Sequence, residues 1–200
     1  MNYIRDPFLS VQSNFELKKN MKIHILSSTD RPGSNALKVS KYAGSILKKS
    51  SEVEIFSLED YPLKDVVGGK YGKEVESVQA FNDRFLSADG FLFVIPEYNG
   101  GFPGILKVFY DYLPFPKAFQ RVPVSVLGEA AGAFGALRPV EQFVQLLSYR
   151  NAHIFPDSMY IQRVNDSFDP ENGLKSERHQ KLLLRQLNDF TVFVSKMSEN

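Results

Sequence analysis

The segment Ser27-Ser28-Thr29-Asp30-Arg31-Pro32-Gly33-Ser34-Asn35 gathers hydroxyl, amide and guanidinium donors in a short stretch between two apolar ones. If it runs from a strand into a helix, the first helical N–H groups lack internal partners and carry partial positive charge, so an anion docks there. Arg31 adds a forked cation suited to phosphate oxygens, with Thr29, Ser34 and Asn35 beside it. Gly33 lets a backbone approach closely. A plainer reading makes Ser34 a helix N-cap and the rest a polar turn. Neither Gly-x-x-x-x-Gly-Lys-Ser/Thr nor Gly-x-Gly-x-x-Gly is present, so neither a nucleotide-hydrolase loop nor a dinucleotide fingerprint is supported.

A second segment, Pro96-Glu97-Tyr98-Asn99-Gly100-Gly101-Phe102-Pro103-Gly104, begins where an apolar run stops. Asn99-Gly100 suits a turn with positive φ, and Pro103 suits the start of a helix. Tyr98 offers a flat amphipathic ring for a planar heterocycle, or is a packing aromatic. Glu97 has no second carboxylate or histidine near it in sequence, which favours a turn-stabilising or ligand-orienting role over general-base work. A third segment, Gly128 to Ala136 with Gly132 at its middle, is again small and polar.

Other chemistry is thinly supplied. Cysteine is absent, which excludes disulfides, thiolate metal sites, cysteine nucleophiles and dithiol redox. Any redox work must borrow a cofactor, and the composition suits a reducing compartment, the cytoplasm. No Gly-x-Ser-x-Gly elbow and no His-x-x-x-His spacing occurs, so neither a catalytic side chain nor a metal ligand is expected. His24 and His153 fall in strand-like segments with packing or surface roles, His179 lies among charges, and Arg138 reads as a surface cation. A formal charge of +1 favours no polyanion, so nucleic acid is not an expected partner.

The elements that must position these segments follow from periodicity. Short β-rich runs alternate with longer helical ones, the pattern of an α/β parallel sheet with helices on both faces. Strands are predicted at Lys22–Ser27, Glu52–Ser57, Gly90–Ile95, Val122–Leu127 and Ala152–Ile161, and helices at 34–49, 74–88, 103–113, 135–150 and 175–197. The unbroken run Phe91 to Ile95 belongs at a sheet centre. Leu183, Leu187, Phe190, Val194 and Met197 make one stripe along the last helix. Leu106, Phe109, Tyr110 and Leu113 read first as core and second as an interface. Residues 61–73, with Gly68, Gly69 and Gly72, form a loop that either borders a site or is a mobile connector. Ligands of such sheets gather beyond the strands' carboxyl ends, where all three polar segments lie.

The chain's 200 residues suit one domain, expected over 21–200, with residues 1–20 as an extension of no assigned role. Those first residues lack the apolar core of about 7–15 residues that an export signal needs. No run approaches the roughly 18 apolar residues of a membrane span.

Pro96-Glu97-Tyr98-Asn99-Gly100, followed by Pro103-Gly104-x-Leu106-Lys107 and Asp111, resembles the signature of the NADPH-dependent FMN reductase family, a flavodoxin-like group with quinone, azo-dye and chromate reductases. Thr29-Asp30-Arg31-Pro32-Gly33-Ser34 resembles that family's Gly-Ser-x-Arg-x-x-Ser phosphate loop, with Ser28 and Thr29 in place of its glycine and serine. The likeness spans about residues 21–160. It implies a flavodoxin-like, doubly wound, five-stranded parallel sheet of order 2-1-3-4-5. It further implies FMN as cofactor, its phosphate held by Thr29, Arg31, Ser34 and Asn35. Pro96, Glu97, Tyr98, Asn99 and Gly100 would border the ribityl chain and ring, with Gly128 and Gly132 in the loop near the ring's other end. The implied reaction is ping-pong: NAD(P)H delivers hydride to flavin N5, nicotinamide leaves, and a quinone, flavin, azo compound or similar small acceptor takes its place. Homodimers or homotetramers are implied as well. A non-enzymatic flavodoxin-like electron carrier or a flavin-binding scaffold is the alternative, although carriers are typically acidic and this chain is near neutral.

Overall fold

The run Gly90–Pro96 is apolar on both faces because it has helices on both sides. In the computed structural model, which describes Lys18 and residues 20–198, every residue of that strand is buried. In chain order the elements are β1 (Lys22–Ser27), α1 (Asn35–Leu47), β2 (Glu52–Ser57), a 3-10 turn (Leu58–Asp60), α2 (Leu63–Val66), α3 (Glu76–Leu86), β3 (Gly90–Pro96), α4 (Gly104–Asp111) and β4 (Pro123–Glu129). They continue with α5 (Leu137–Tyr149), β5 (His153–Ile154), β6 (Met159–Ile161), α6 (Val164–Ser167), the short hairpin β7 (Phe168–Asp169) and β8 (Gly173–Leu174), and α7 (Glu177–Met197). The main sheet is parallel with order β2-β1-β3-β4-β5, as the flavodoxin-like expectation required.

Side chains of β3 alternate between two layers, following the two-residue period of a strand. Phe91, Phe93 and Ile95 join Phe56, Phe85, Phe109 and Phe143 on the face covered by α3, α4 and α5. Leu92 and Val94 join Ile23, Ile25, Val39, Leu183, Leu187, Phe190 and Val194 under α1 and α7. The α7 stripe is therefore core, apart from the half-buried Met197 at its end, and Leu106, Phe109, Tyr110 and Leu113 are buried in the aromatic layer.

The fifth strand, expected over Ala152–Ile161, is a correction: its position in the sheet is shared by β5 and β6. The first pairs with Pro123 and Val124, the second with Leu127 to Glu129. Pro156 lies in the gap and cannot donate to a ladder. The buried Gln186 amide of α7 mends the break, accepting from the Met159 N–H at 2.9 Å and donating to the Val126 carbonyl at 3.0 Å. The stretch read as a loop over 61–73 also begins with α2, and α6 with its following hairpin fills a segment for which no element was predicted.

Of the expected extension, residues 1–17 and Lys19 lie outside the described residues. Lys18 donates its backbone N–H to Ser195 Oγ at 2.8 Å and pairs with Asp89 at 2.9 Å. Among the described residues no helix is long and apolar enough to cross a membrane, and no group of three or more potential ligands could hold a metal ion.

Candidate functional site

The β1–α1 turn starts deep and ends open. Ser27, Ser28 and Thr29 are fully buried, and the Ser28 N–H continues the ladder to the Val94 carbonyl at 3.0 Å. Thr29 Oγ1 shares a hydrogen bond of 2.8 Å with the Tyr98 hydroxyl and accepts from the Arg31 N–H at 3.2 Å, so it ties two loops together from behind. Gly33 has φ +62° with open space where a Cβ would stand; backbone conformation is what its position demands. Ser34 caps α1, its Oγ accepting from the Leu37 N–H at 3.1 Å, which is the plainer of its two sequence readings.

The β3–α4 loop is a two-residue hairpin. Tyr98 and Gly101 exchange N–H···O bonds of 2.9 and 3.1 Å, with Asn99 at φ 52° and Gly100 at φ 79°, as a type I′ turn requires. The turn's own bonds leave the Asn99 and Gly100 amides out. Glu97 donates its N–H to the Glu129 carbonyl at 3.2 Å, fixing the hairpin to β4. The Arg31 guanidinium lies 4.6 Å from the centre of the Tyr98 ring, a cation–π contact that shelters one face of it.

The third loop leaves β4 at Glu129. A Cβ on Gly128 would stand 2.5 Å from the Gly135 carbonyl, so only glycine permits this close return of the backbone. Arg163 donates to the Gly132 carbonyl at 3.0 Å and Val164 to that of Ala130 at 2.9 Å, which docks α6 on the loop. Asn165 is thereby delivered to the edge of the site, where its Oδ1 accepts from Asn35 Nδ2 at 2.7 Å.

These loops enclose a cleft of about 320 Å³ lined by Arg31, Pro32, Gly33, Ser34, Asn35, Pro96, Glu97, Tyr98, Glu129, Ala130, Ala131 and Asn165. Of the sequence-predicted residues it brings together Arg31, Ser34, Asn35, Pro96, Glu97 and Tyr98. Thr29 is hidden behind Tyr98, Asn99 and Gly100 form the turn beside the cleft, and Gly128 and Gly132 shape the third loop without lining it. Clefts of comparable size open beside β6 and α7 and around Tyr71, Tyr112 and Phe115. Chemistry rather than volume separates them: among the clefts of the described residues, the one at the β1–α1 turn alone combines a helix N-terminus, a guanidinium and a neighbouring glycine-permitted turn.

Two polar lining residues, Glu129 and Asn165, were not among the site residues expected from sequence. Glu129 is 4% exposed, and burial pushes its carboxyl up to about 7 against the opposing pull of the Ala36 N–H and Arg31. The one signal was a carboxylate ending a strand whose other residues, Ser125 apart, are apolar or glycine. Asn165 had none, since only tertiary docking of α6 brings it to Asn35.

Residues 21–166 match the family described as NADPH-dependent FMN reductase. The chain belongs to this family. It is thus an oxidoreductase with FMN as cofactor and NAD(P)H as co-substrate. Among similar proteins are an NAD(P)H-dependent FMN reductase of Pseudomonas aeruginosa, 25% identical over 90% of this chain and 99% of that one, and a quinone reductase of Escherichia coli, 27% identical with the same coverage. A solved structure, the flavoenzyme NAD(P)H:(acceptor) oxidoreductase FerB of Paracoccus denitrificans, superposes with a TM-score of 0.72 at 21% identity, covering 88% of this chain and 98% of that one. The residues present fit this FMN reductase's cofactor. The α1 N-terminus, Arg31 and Asn35 would be the donors to hold a phosphate monoester, and the Tyr98 hairpin would present a ring and a turn to a planar group.

Proposed function

We propose that this FMN reductase family member oxidises NAD(P)H and reduces a small acceptor, such as a quinone, a flavin or an azo compound, at the cleft between the β1–α1 turn and the Tyr98 hairpin. The observation that carries this reading is the convergence of an anion-binding helix start and a type I′ turn on one cleft. Arg31 and the first N–H groups of α1 neutralise the phosphate, and the Asn165 carbonyl holds the Asn35 amide in place beside them. The Arg31 guanidinium covers a face of Tyr98, so a ring seated there would displace it, and the freed guanidinium would be available to the phosphate. Thr29 holds the Tyr98 hydroxyl throughout. The Asn99 and Gly100 amides, outside the turn's own hydrogen bonds, would be the donors available to the polar edge of a bound heterocycle and to negative charge developing there. When bound, FMN would carry the hydride and electron chemistry, taking hydride from NAD(P)H and passing reducing equivalents to the acceptor, so no acid–base triad of side chains is called for.

Titration of the apoprotein with FMN, followed by NAD(P)H consumption with a small quinone as the only added acceptor, tests the reading. Saturable FMN binding and sustained turnover without a protein partner are expected. Binding without turnover would leave an electron carrier or a scaffold.

A further inference from the structure

Glu129 stands where an anion is wanted. Its carboxylate is buried at the end of β4 and lines the same cleft as Arg31, Ser34 and Asn35, with the backbone N–H of Ala36 in the first turn of α1 helping to hold its charge. An incoming phosphate competes for that donor. The other groups facing the cleft do not compensate. Arg31 is the one cation among its lining residues, Glu97 is a second carboxylate across it on the hairpin, and Tyr98, Ser34, Asn35 and Asn165 are uncharged polar groups. Asp30 and Arg163, which neighbour the lining residues Arg31 and Asn165 in sequence, are solvent-exposed, and no histidine lines the cleft. A phosphate dianion would add two negative charges beside the buried Glu129 carboxylate, with Arg31 as the one cation in the lining to offset them.

We propose that Glu129 is a proton-carrying wall of the phosphate cradle: FMN binds with uptake of one proton from solvent by the Glu129 carboxylate, and the resulting carboxyl O–H donates to a phosphoryl oxygen. One hydrogen bond thus replaces one repulsion. The proton returns to solvent when FMN leaves, so the exchange is balanced without any other reactant. The raised affinity of this buried carboxyl for a proton means that the exchange takes place near neutral pH. This inference rests on the cleft being the FMN site.

The test is FMN affinity of the apoprotein, followed by flavin fluorescence between about pH 7 and pH 9, where the second ionisation of a phosphate monoester, near 6, is complete. The dissociation constant should rise with pH, approaching tenfold per unit where Glu129 is ionised in the free protein and protonated in the complex. Calorimetry in two buffers of different ionisation heat should show about one proton taken up above pH 7. Glu129→Gln, which supplies a donor and no charge, should bind FMN with a flat profile and more tightly than wild type at the alkaline end. An affinity independent of pH, with no proton taken up by the wild-type protein, overturns the proposal and leaves the FMN site standing. A slope retained in the Gln variant overturns it too. Absence of FMN binding at every pH overturns both the proposal and the functional reading beneath it.

Discussion

In the layer under α3, α4 and α5, Phe85 meets Phe56, Phe91, Phe93 and Phe109 at ring-centre distances of 5.3, 4.8, 6.1 and 5.2 Å, mostly edge to face. At the carboxyl edge of the same sheet, the Arg31 guanidinium rests on the Tyr98 ring, Asn35 and Asn165 share one hydrogen bond, and Glu129 is buried with its charge favoured only by one helix donor and one guanidinium. The first region gains free energy from contact in every direction. The second leaves donors unspent so that a ligand can use them. Stability and ligand recognition are therefore assigned to different residues, and substitutions should sort accordingly.

The largest effect is expected from Phe85→Ala, whose cavity in a fully buried layer should cost about 3–5 kcal/mol in denaturant unfolding. FMN affinity per folded molecule should stay unchanged; a parallel loss of affinity would merge the two regions. Glu129→Gln should act in the opposite direction. Because the folded carboxyl titrates at about 7 instead of 4.5, the folded state binds the extra proton between those values and stability falls as pH rises through them. The variant escapes that loss. Its apoprotein should match wild type near pH 4.5 and exceed it above pH 7 by up to about 3 kcal/mol, read from melts at both ends.

Arg31→Ala should weaken FMN by about 1–3 kcal/mol through lost charged hydrogen bonds, and shift stability by no more than about 0.5 kcal/mol. Unchanged affinity would remove Arg31 from the phosphate site. Ser34→Ala sharpens the comparison, because its hydroxyl caps α1 and its residue also lines the cleft. Loss of the α1 cap should cost about 1 kcal/mol of stability in the apoprotein, and thermal melts with saturating FMN will show how much of that loss the ligand restores.

What was legible in the sequence was what neighbours in sequence decide. The apolar run of β3, the stripe of α7 and the turn at Asn99-Gly100 each contain their own instruction: two-faced burial, a helical period, a pair that tolerates positive φ. The broken fifth strand was only half visible, because Pro156 announces a gap but the amide that fills it comes from Gln186 on a distant helix. The site divides in the same way. Arg31, Ser34 and Asn35 lie within one turn and could be read together, whereas Asn165 joins Asn35 only through the docking of α6. Glu129 could be seen as a residue, but its burial and its helix donor belong to packing.

The claim that the cleft makes this chain a flavin-dependent NAD(P)H oxidoreductase is tested most directly by mixing the FMN-loaded protein with NADPH or NADH in a stopped-flow instrument without oxygen. Bleaching of the bound flavin at a rate no slower than steady-state turnover is the predicted result. A flavin that binds but stays oxidised with both nucleotides would contradict the account.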